Sequence, residues 1–237
     1  MRLDKYLVEN GYFESRNRAM GAIKEGKVLI DGKSAKASTK VNENSLIEVI
    51  KSKFYVSRAA QKLEGFLETY PIVLEGRVAL DIGSSTGGFA QILLEHGVSE
   101  LDCVDVGSDQ LHHTLRESEK LHLFEETDIR DFKSQKFYDM VTCDVSFISI
   151  LQIINDIDRL SSNDIIILYK PQFEVGREAK RDRRGVVTDT QAIEQAKEAF
   201  LEAIQKLNWK LIECASSSLA GKDGNLEYLY HFKKVTV

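Results

Sequence analysis

The most distinctive segment of the sequence is DIGSSTGG, residues 81–88, which combines glycines, hydroxyls and a carboxylate as ligand-binding loops do. It matches neither common phosphate-binding pattern, because Ser85 replaces the middle glycine of the dinucleotide motif and Phe89 occupies the lysine position of a P-loop. A loop that begins with a carboxylate and offers no cation favours a cationic or hydroxyl-rich ligand. S-adenosylmethionine fits, since it carries an ammonium, a sulfonium and a ribose diol.

Two acidic residues after the loop extend this interpretation. Asp105, in CVDVG, lies about 20 residues past the loop, where nucleotide-binding sheets carry a ribose-binding acid. Asp128, in ETDIRDF, could reach an adenine amine, although the same residues could form a capped turn. The loop itself could also be a strand-to-helix turn without a ligand. The predicted cofactor contacts are Asp81, Gly83, Ser84, Ser85, Thr86, Gly87, Gly88, Phe89, Asp105, Asp128 and Asp144.

The candidate reactive group is Lys170, which follows the apolar run IIILY. An ordinary lysine at the end of a strand extends its ammonium into solvent. A functional lysine is partly buried, or lies near a second cation, and gives up its proton more easily. Residues that could join it are Lys62, Asp144 and Glu227. The sequence alone leaves open whether the four converge.

Two basic regions are candidates for contact with a polyanion. The segment GREAKRDRRGVV, residues 176–187, follows Lys170 and concentrates arginines, which suit phosphate recognition. A solvated run of charges is the alternative. The predicted contacts with a polyanion such as RNA are Arg177, Arg181, Arg183 and Arg184 in this segment, with Lys180 beside them, and Arg2, Lys5, Arg16, Arg18, Lys24 and Lys27 near the N-terminus.

An alternation of strand-like and helical patterns from residue 57 onward provides the scaffold for these side chains. Five strand-like runs, beginning with RVALDIG and ending with DIIILYKP, precede the amphipathic segment TQAIEQAKEAFLEAIQKLNW and two final strands. This order predicts a Rossmann-like, doubly wound α/β fold with a mostly parallel sheet. The last two strands have no helix between them, so we expect them to pair antiparallel. Ligands of such sheets bind beyond the carboxyl ends of the strands.

The first fifty residues predict a separate α+β domain. Helical spacing at Leu3, Leu7, Ala19 and Ile23 indicates two short helices, the second capped by Ser15, and KVLIDGKSA predicts a hairpin. Residues 51–56 read as a linker, which places the domains at 1–52 and 57–237. Residues 1–53 carry 11 Lys and Arg against 7 Asp and Glu, whereas the remainder carries 21 against 30. The basic N-terminal domain is therefore the one expected to bind a polyanion.

Composition excludes several classes of protein. No segment approaches the ~18 apolar residues of a membrane span, and the charged N-terminus is not a signal peptide. The three cysteines predict reduced, buried thiols in a cytoplasmic protein. Neither a metal-ligand spacing nor an apolar stripe outside the core is evident, so we expect no metal, no membrane partner and a monomer.

Six motifs in this order resemble the TlyA (hemolysin A) family of FtsJ-like ribosomal RNA 2'-O-methyltransferases. They are SRAAQKL, LDIGSSTGGF, CVDVG, CDVSFIS, YKPQFEVG and KDGNLEYL. The segments RLDKYLVENGYFESRNRA and EGKVLIDGK resemble the S4-like RNA-binding domain of the same family. The resemblance covers nearly the whole chain. It implies a seven-stranded class I methyltransferase sheet whose last strand is antiparallel, with S-adenosylmethionine as cofactor and ribosomal RNA or ribosomal subunits as partner.

The family's Lys-Asp-Lys-Glu tetrad falls by motif on Lys62, Asp144, Lys170 and Glu227. The resemblance implies methyl transfer to a ribose 2'-hydroxyl, of cytidine. Lys170 would act as general base, or would hold the hydroxyl while its proton leaves. Asp144 and Glu227 would orient it, and Lys62 would lower its pKa and position the nucleotide.

Other classes of function remain open at this stage. A binding or ribosome-assembly factor could keep the fold without turnover, although all four tetrad positions are occupied. The family's historical label suggests a pore-forming toxin, which the acidic body and the lack of a span disfavour. A base methyltransferase typically has an N/D-P-P-Y/F motif after strand four, where this chain has DVSF.

Overall fold

The computed structural model describes residues 1–42, 44–50 and 53–235, and these form two compact units, Met1–Phe54 and Tyr55–Val237. Of the linker predicted at residues 51–56, Lys51 and Ser52 lie outside the described residues. The domain limits predicted from the sequence were 1–52 and 57–237.

The first unit is a small α+β fold with its own apolar core. Its elements are α1 (Leu3–Glu9), α2 (Arg16–Lys24), β1 (Val28–Ile30), β2 (Lys33–Ser34) and β3 (Ile47–Val49). The strands form an antiparallel sheet in the order β2-β1-β3. The strand β3 was not predicted, because three residues at the edge of a sheet carry too little periodicity to be recognised.

Local signals in this unit are confirmed. The Ser15 hydroxyl accepts a hydrogen bond from the backbone N–H of Arg18, which makes it the N-cap of α2. Asp31 and Gly32 both have positive φ, as a tight two-residue hairpin turn requires. Side chains from both helices and from β1 fill the core: Leu3, Leu7, Ala19, Ile23, Val28 and Val41.

The second unit is a doubly wound α/β fold. Its helices are α3 (Arg58–Thr69), α4 (Gly88–Glu95), α5 (His113–Arg116), α6 (Ile154–Leu160), α7 (Pro171–Glu174) and α8 (Thr190–Lys206), with a 3₁₀ turn at Ile150–Gln152. Its strands are β4 (Val78–Ile82), β5 (Glu100–Val104), β6 (Leu121–Phe124), β7 (Tyr138–Cys143), β8 (Ser161–Tyr169), β9 (Trp209–Ser216) and β10 (Tyr228–Lys234).

The seven strands form one sheet in the order β6-β5-β4-β7-β8-β10-β9. The pairs among β4 to β8 are parallel, whereas β10 is antiparallel to both β8 and β9. This confirms the predicted class I methyltransferase sheet. The order reverses at β4, with β5 on one side and β7 on the other, and a crevice at such a switch point is where open α/β sheets bind ligands.

Helices cover both faces of the sheet because its strands are apolar on both faces. On one face α3 and α4 contribute buried side chains such as Leu63, Phe66 and Ile92. On the other face α6 and α8 contribute Ile157, Phe200 and others. The amphipathic character predicted for α8 is confirmed, since the apolar side chains of one face, Ile193, Ala196, Phe200 and Ile204, are buried or half-buried.

A serine before a helical run is a typical N-cap. Ser57 occupies that position before α3, but its side chain makes no capping hydrogen bond. The short helices α5, α6 and α7 were not predicted. Two of them have only four residues, and α6 has the polar sequence INDIDRL, so no strong apolar period marks them.

Candidate active site

The glycine loop joins the end of β4 to the start of α4, at the edge where the parallel strands end. Gly83 has φ +77° and Ser85 has φ +45°, so the backbone is left-handed at both residues. A Cβ atom on Gly83 would lie 3.0 Å from the carbonyl oxygen of Asp144. Only glycine therefore lets the loop run directly beside the end of β7.

The glycines at the helix start serve packing within the protein, which differs from the predicted role of allowing a ligand to approach. Gly87 has φ +90°, and a Cβ atom there would collide with Leu111 and Leu115. A Cβ atom on Gly88 would meet Ser57 and the backbone nitrogen of Ala60, where α3 begins. Phe89 is buried in the core beneath α4. That Gly87, Gly88 and Phe89 contact a cofactor stays a prediction.

Asp81 is a fully buried carboxyl at the end of β4. It accepts a hydrogen bond from Thr142 Oγ1 at 2.7 Å through Oδ1, and Oδ2 has no hydrogen-bond partner among the described residues. Burial raises the pKa of this carboxyl to about 7, with a smaller contribution from the charges of Asp144 and Asp105. An acid in this state lacks a cation, which supports the predicted contact with an ammonium.

Asp105 follows β5 and fixes the conformation of the glycine loop. Its Oδ2 accepts the backbone N–H of Ser85 at 2.8 Å, and its Oδ1 accepts the backbone N–H of Gly107 at 2.7 Å. The hydroxyl of Ser85 donates to Gln110 at 2.9 Å. The acid predicted to bind a ribose is thus held rigidly by the loop that it faces.

A first cleft of about 330 Å³ opens beyond the ends of β4, β5 and β7. Gly83, Ser85, Asp105 and Asp128 line it together with apolar side chains such as Ile129. Mostly apolar walls with a few fixed polar groups are typical of a small-molecule site. The first cleft is therefore the candidate site for the adenosine part of the cofactor.

Asp128 forms the capped turn that the sequence allowed and also lies in the first cleft. Its carboxylate accepts hydrogen bonds from the backbone N–H and the guanidinium of Arg130, so it caps a turn, and it also lines the first cleft. These hydrogen bonds, the side-chain ones above all, lower the pKa of Asp128. Its contact with adenine stays a prediction.

A second cleft of about 630 Å³ shares Gly83, Ser85 and Asp144 with the first. All four tetrad residues line it, although they come from α3, the end of β7, the end of β8 and the segment before β10: Lys62, Asp144, Lys170 and Glu227. Of the glycine loop, Asp81, Ser84, Thr86, Gly88 and Phe89 also line this cleft. The convergence that the sequence left open is present in the structure.

The tetrad consists of two buried ion pairs. Lys62 Nζ lies 2.5 Å from Glu227 Oε2, and Lys170 Nζ lies 2.6 Å from Asp144 Oδ1. Lys170 also donates to the hydroxyl of Ser146 at 2.8 Å. Burial raises the pKa of Asp144, and the ammonium groups of Lys170 and Lys62 oppose that rise. Each cation is thus fixed in position by a carboxylate.

Several residues of the second cleft were not singled out from the sequence. Phe147 is 91% exposed, and its backbone has a positive φ of +66°. The centroid of its ring lies 5.1 Å from that of Phe173. Gln172 donates to Glu227 Oε1 at 2.8 Å. The buried hydroxyl of Ser57 has no partner among the described residues. The motifs DVSF and KPQF contain three of these residues, but only the fold shows that they share a cleft.

The basic segment 176–187 is an ordered loop at the rim of the second cleft. Arg181 donates to four backbone carbonyls, those of Arg177, Ala179, Gln172 and Gly176, so its guanidinium holds the loop together. The RNA contact predicted for Arg181 stays a prediction. Two other arginines, Arg177 and Arg183, are exposed; Arg184 is exposed and lies 3.4 Å from Asp182.

Asn225 connects this loop to the turn that precedes Glu227. Its Oδ1 accepts the backbone N–H of Val187 at 2.9 Å, and its Nδ2 donates to the carbonyl of Gly185 at 3.4 Å. These hydrogen bonds connect the loop 176–187 to the segment that carries Glu227, on one side of the cleft.

The basic residues of the first unit lie on its surface, and most of them are paired. Arg2 and Arg16 both contact the buried carboxylate of Asp4, at 3.0 and 2.5 Å. The remaining pairs are Lys5 with Glu9, Arg18 with Glu14 and Lys27 with Glu25, and Lys24 is exposed in the last turn of α2. Their guanidinium and ammonium groups keep donors for a phosphate, but the pairing reduces the net positive field.

A cluster of two carboxylates and an imidazole lies apart from the two clefts. Glu100, Asp102 and His122 lie close enough to share an ion, a cluster that the sequence did not predict. Lys136 pairs with both of these carboxylates, so a cation of the protein already offsets part of their charge. The cysteines are free, with Cys103 and Cys143 buried and Cys214 half-buried. Within the described ranges, no helix has the length and apolar character needed to cross a membrane.

Residues of the two adjoining clefts fit S-adenosylmethionine. Asp81 Oδ2 and Ser84 Oγ are buried at the second cleft without hydrogen-bond partners in the part of the chain that the structure describes. Unpaired buried polar atoms are uncommon in native proteins unless a ligand or water completes them. A carboxylate and a hydroxyl suit the ammonium and carboxylate of an amino acid, and Asp105 suits a ribose diol.

Comparison with known proteins agrees with this geometry. Residues 55–234 match the FtsJ-like methyltransferase family and residues 1–47 match the S4 domain. The chain is 44% identical to the 23S rRNA (cytidine-2'-O)-methyltransferase TlyA of Campylobacter jejuni, over 99% of this chain and 100% of that protein. It is 36% identical to the 16S/23S rRNA (cytidine-2'-O)-methyltransferase TlyA of Mycobacterium tuberculosis, over 99% and 90%.

A solved structure from Streptococcus thermophilus has a TM-score of 0.72 and 28% identity, and the match covers 99% of this chain and 88% of that one. The family matches together span both units of the molecule, and the order of motifs is the one expected from the sequence. The chain therefore belongs to the TlyA family, in which an S4 domain precedes an FtsJ-like, S-adenosylmethionine-dependent methyltransferase domain.

Proposed function

We propose that this protein transfers a methyl group from S-adenosylmethionine to a ribose 2'-hydroxyl of ribosomal RNA, and that the target is a cytidine, as in the names of its relatives. The observation that carries the proposal is the convergence of Lys62, Asp144, Lys170 and Glu227 on a cleft that shares its wall with the glycine loop. A reacting hydroxyl in this cleft would face a cofactor held by that loop.

The bound cofactor supplies an electrophilic methyl on its sulfonium, so the protein's tasks are alignment and proton removal. The C–O bond forms as the C–S bond breaks, and the hydroxyl proton must leave. Lys170 as a neutral amine accepts that proton, and Asp144 at 2.6 Å stabilises the resulting ammonium. As an ammonium, Lys170 instead donates to the 2'-oxygen and orients it, and the hydroxyl proton is released to solvent as the C–O bond forms. The ion pair with Asp144 is compatible with both roles of Lys170.

The second ion pair has a positioning role in this proposal. Lys62 and Glu227 are 7% and 3% exposed, so their charges are little screened by solvent. Lys62 directs a positive charge toward the cleft, where an RNA phosphate or the 2'-oxygen would lie. Glu227 fixes that lysine and, through Gln172, the start of α7.

Recognition of RNA is assigned to three features. The S4 domain and the arginines of the loop 176–187 would contact phosphates, which position the substrate without reading its sequence. Phe147 and Phe173 would supply an aromatic face at the mouth of the cleft. Aromatic side chains commonly stack on the unpaired bases that RNA-modifying enzymes act on.

The test is methyl transfer from labelled S-adenosylmethionine to ribosomal subunits from a strain that lacks this gene. Alkali-resistant dinucleotides in the product would identify 2'-O-methylation. We expect Lys170→Ala to lower the rate by about 10²- to 10⁴-fold with cofactor binding retained. Lys206→Ala, which removes an exposed lysine at the end of α8, is the matched control.

A second outcome would replace the proposal. If the wild-type protein binds the cofactor and the subunits but transfers nothing, the protein is a binding or assembly factor that has kept the methyltransferase fold. Methylation of a base, with no alkali-resistant product, would also contradict the assignment to the 2'-hydroxyl.

A further inference from the structure

Gln172 carries a buried amide oxygen for which the described residues provide no donor. Its amide nitrogen Nε2 donates to Glu227 Oε1 at 2.8 Å, and the residue lines the second cleft. The orientation of the amide is fixed by this contact, because the reversed amide would bring two acceptor oxygens together. The free atom is therefore an acceptor.

The position of Gln172 is fixed at both its backbone and its side chain. Pro171, the residue before it, is the first residue of α7, where its restricted φ suits the helix. Arg181 Nη2 donates to the backbone carbonyl of Gln172 at 3.2 Å. Glu227 holds the side chain and is itself paired with Lys62. An acceptor held in this way discriminates between ligands, since it cannot turn aside.

Apart from Asp144 Oδ1, which is ion-paired with Lys170, the other unpaired polar atoms of this cleft belong to the glycine loop or adjoin it. Asp81 and Ser84 are part of that loop, and Ser57 lies beside Gly88 at the start of α4, so the proposed function assigns these three to the cofactor. Gln172 comes two residues after Lys170 and contacts the tetrad. Its oxygen is thus left for the substrate.

We propose that Gln172 reads the target base, with its Oε1 accepting a hydrogen bond from the exocyclic amine of cytosine. Uracil carries a carbonyl oxygen at the corresponding position, so it would place an acceptor against an acceptor. Gln172 is then a specificity-determining residue that favours cytidine over uridine. This inference rests on the proposed function and adds the choice of nucleotide to it.

The test uses ribosomal subunits from a strain that lacks this gene and expresses plasmid-borne rRNA with either cytidine or uridine at the mapped target position. The wild-type protein is expected to prefer the cytidine subunits by about 10²-fold or more in kcat/KM, because a buried polar group left facing the wrong partner is strongly rejected. Gln172→Met removes both the donor and the acceptor. Gln172→Lys keeps a donor for Glu227 but offers no acceptor.

Both variants are expected to lose most of the cytidine preference, with the ratio falling to within about 5-fold of unity, while Gln172→Lys retains more activity than Gln172→Met. If both variants slow the cytidine and uridine reactions by the same factor, Gln172 acts only by holding Glu227 and the inference is overturned. A wild-type protein that accepts both subunits equally also overturns it. A wild-type protein that methylates neither overturns the proposed function itself.

Discussion

The glycine loop and the charged tetrad form adjoining parts of one site, but they are built in different ways. The loop is contiguous, residues 81–88, and its turns are marked within it by the positive φ of Gly83 and Ser85, while one contact from 20 positions away, that of Asp105 with Ser85, holds it. The tetrad is drawn from residues 62, 144, 170 and 227, and the ion pair between Lys62 and Glu227 spans 165 positions. A local motif can be recognised in a sequence, whereas a long-range cluster requires the sheet to assemble it.

The two regions also differ in their electrostatics. Each tetrad carboxylate has a cation within 2.6 Å, so this region is balanced before any ligand arrives. In the glycine loop Asp81 has no cation within hydrogen-bonding distance among the described residues, and burial raises its pKa. The tetrad is therefore organised for a substrate that it must orient, and the loop for a cofactor that brings its own positive charge.

The largest effect is expected from breaking the tetrad. Lys62→Met leaves the buried Glu227 without its cation, and removing one partner of a buried pair costs about 3–5 kcal/mol of unfolding free energy. Methyl transfer should fall by at least about 10²-fold. Denaturant unfolding and the labelled-methyl assay measure the two effects.

The double variant Lys62→Met, Glu227→Gln separates stability from function. It leaves no unpaired charge, so most of the lost unfolding free energy should return while methyl transfer stays low. Recovery of activity together with stability would mean that the ion pair has only a structural role.

An intermediate effect is expected at Asp81, as a dependence on pH. A carboxyl whose pKa is raised in the folded state stabilises the fold most below its unfolded value, near 4, and that stability is lost as pH rises through about 7. Cofactor affinity should change in the opposite sense, since the ammonium needs the ionised acid. Between pH 5.5 and 7 we expect affinity to rise several-fold in the wild-type protein.

Asp81→Asn should abolish the pH dependence of both stability and cofactor affinity. Unfolding at each pH measures the first, and calorimetric titration of S-adenosylmethionine measures the second. Asp139→Asn is the matched control, because that carboxylate lies in the same sheet and outside both clefts. An affinity of the wild-type protein that is flat across this range would show that Asp81 does not meet the ammonium.

The smallest effect on stability is expected at Phe147, where the two clefts meet. A non-glycine residue at φ +66° is strained, and the 91% exposed ring contributes little burial, so Phe147→Gly should stabilise the fold by about 1 kcal/mol. The same change should raise KM for ribosomal subunits with little change in cofactor affinity. A loss of stability, or an unchanged KM, would show that the aromatic ring serves the fold and not the substrate.

Much of the molecule was predictable because its signals are local. The alternation of apolar strands and amphipathic helices predicted the doubly wound sheet, and Ser15 and Asp31-Gly32 predicted their cap and turn. The acidic glycine loop predicted the cofactor chemistry. Resemblance, and not spacing, identified the tetrad positions.

Other features depended on the tertiary structure. The packing role of Gly87 and Gly88 is one of them, because the atoms that exclude a side chain come from α3 and from residues 111–115. Arg181 donates to three carbonyls of its own loop and to that of Gln172 in α7, contacts that the run of charges does not reveal. The unpaired oxygens of Asp81 and Gln172 become visible only once every neighbour is in place. Sequence determines which groups are present and which local turns they favour, whereas the pairing of buried groups depends on distances that only the folded sheet sets.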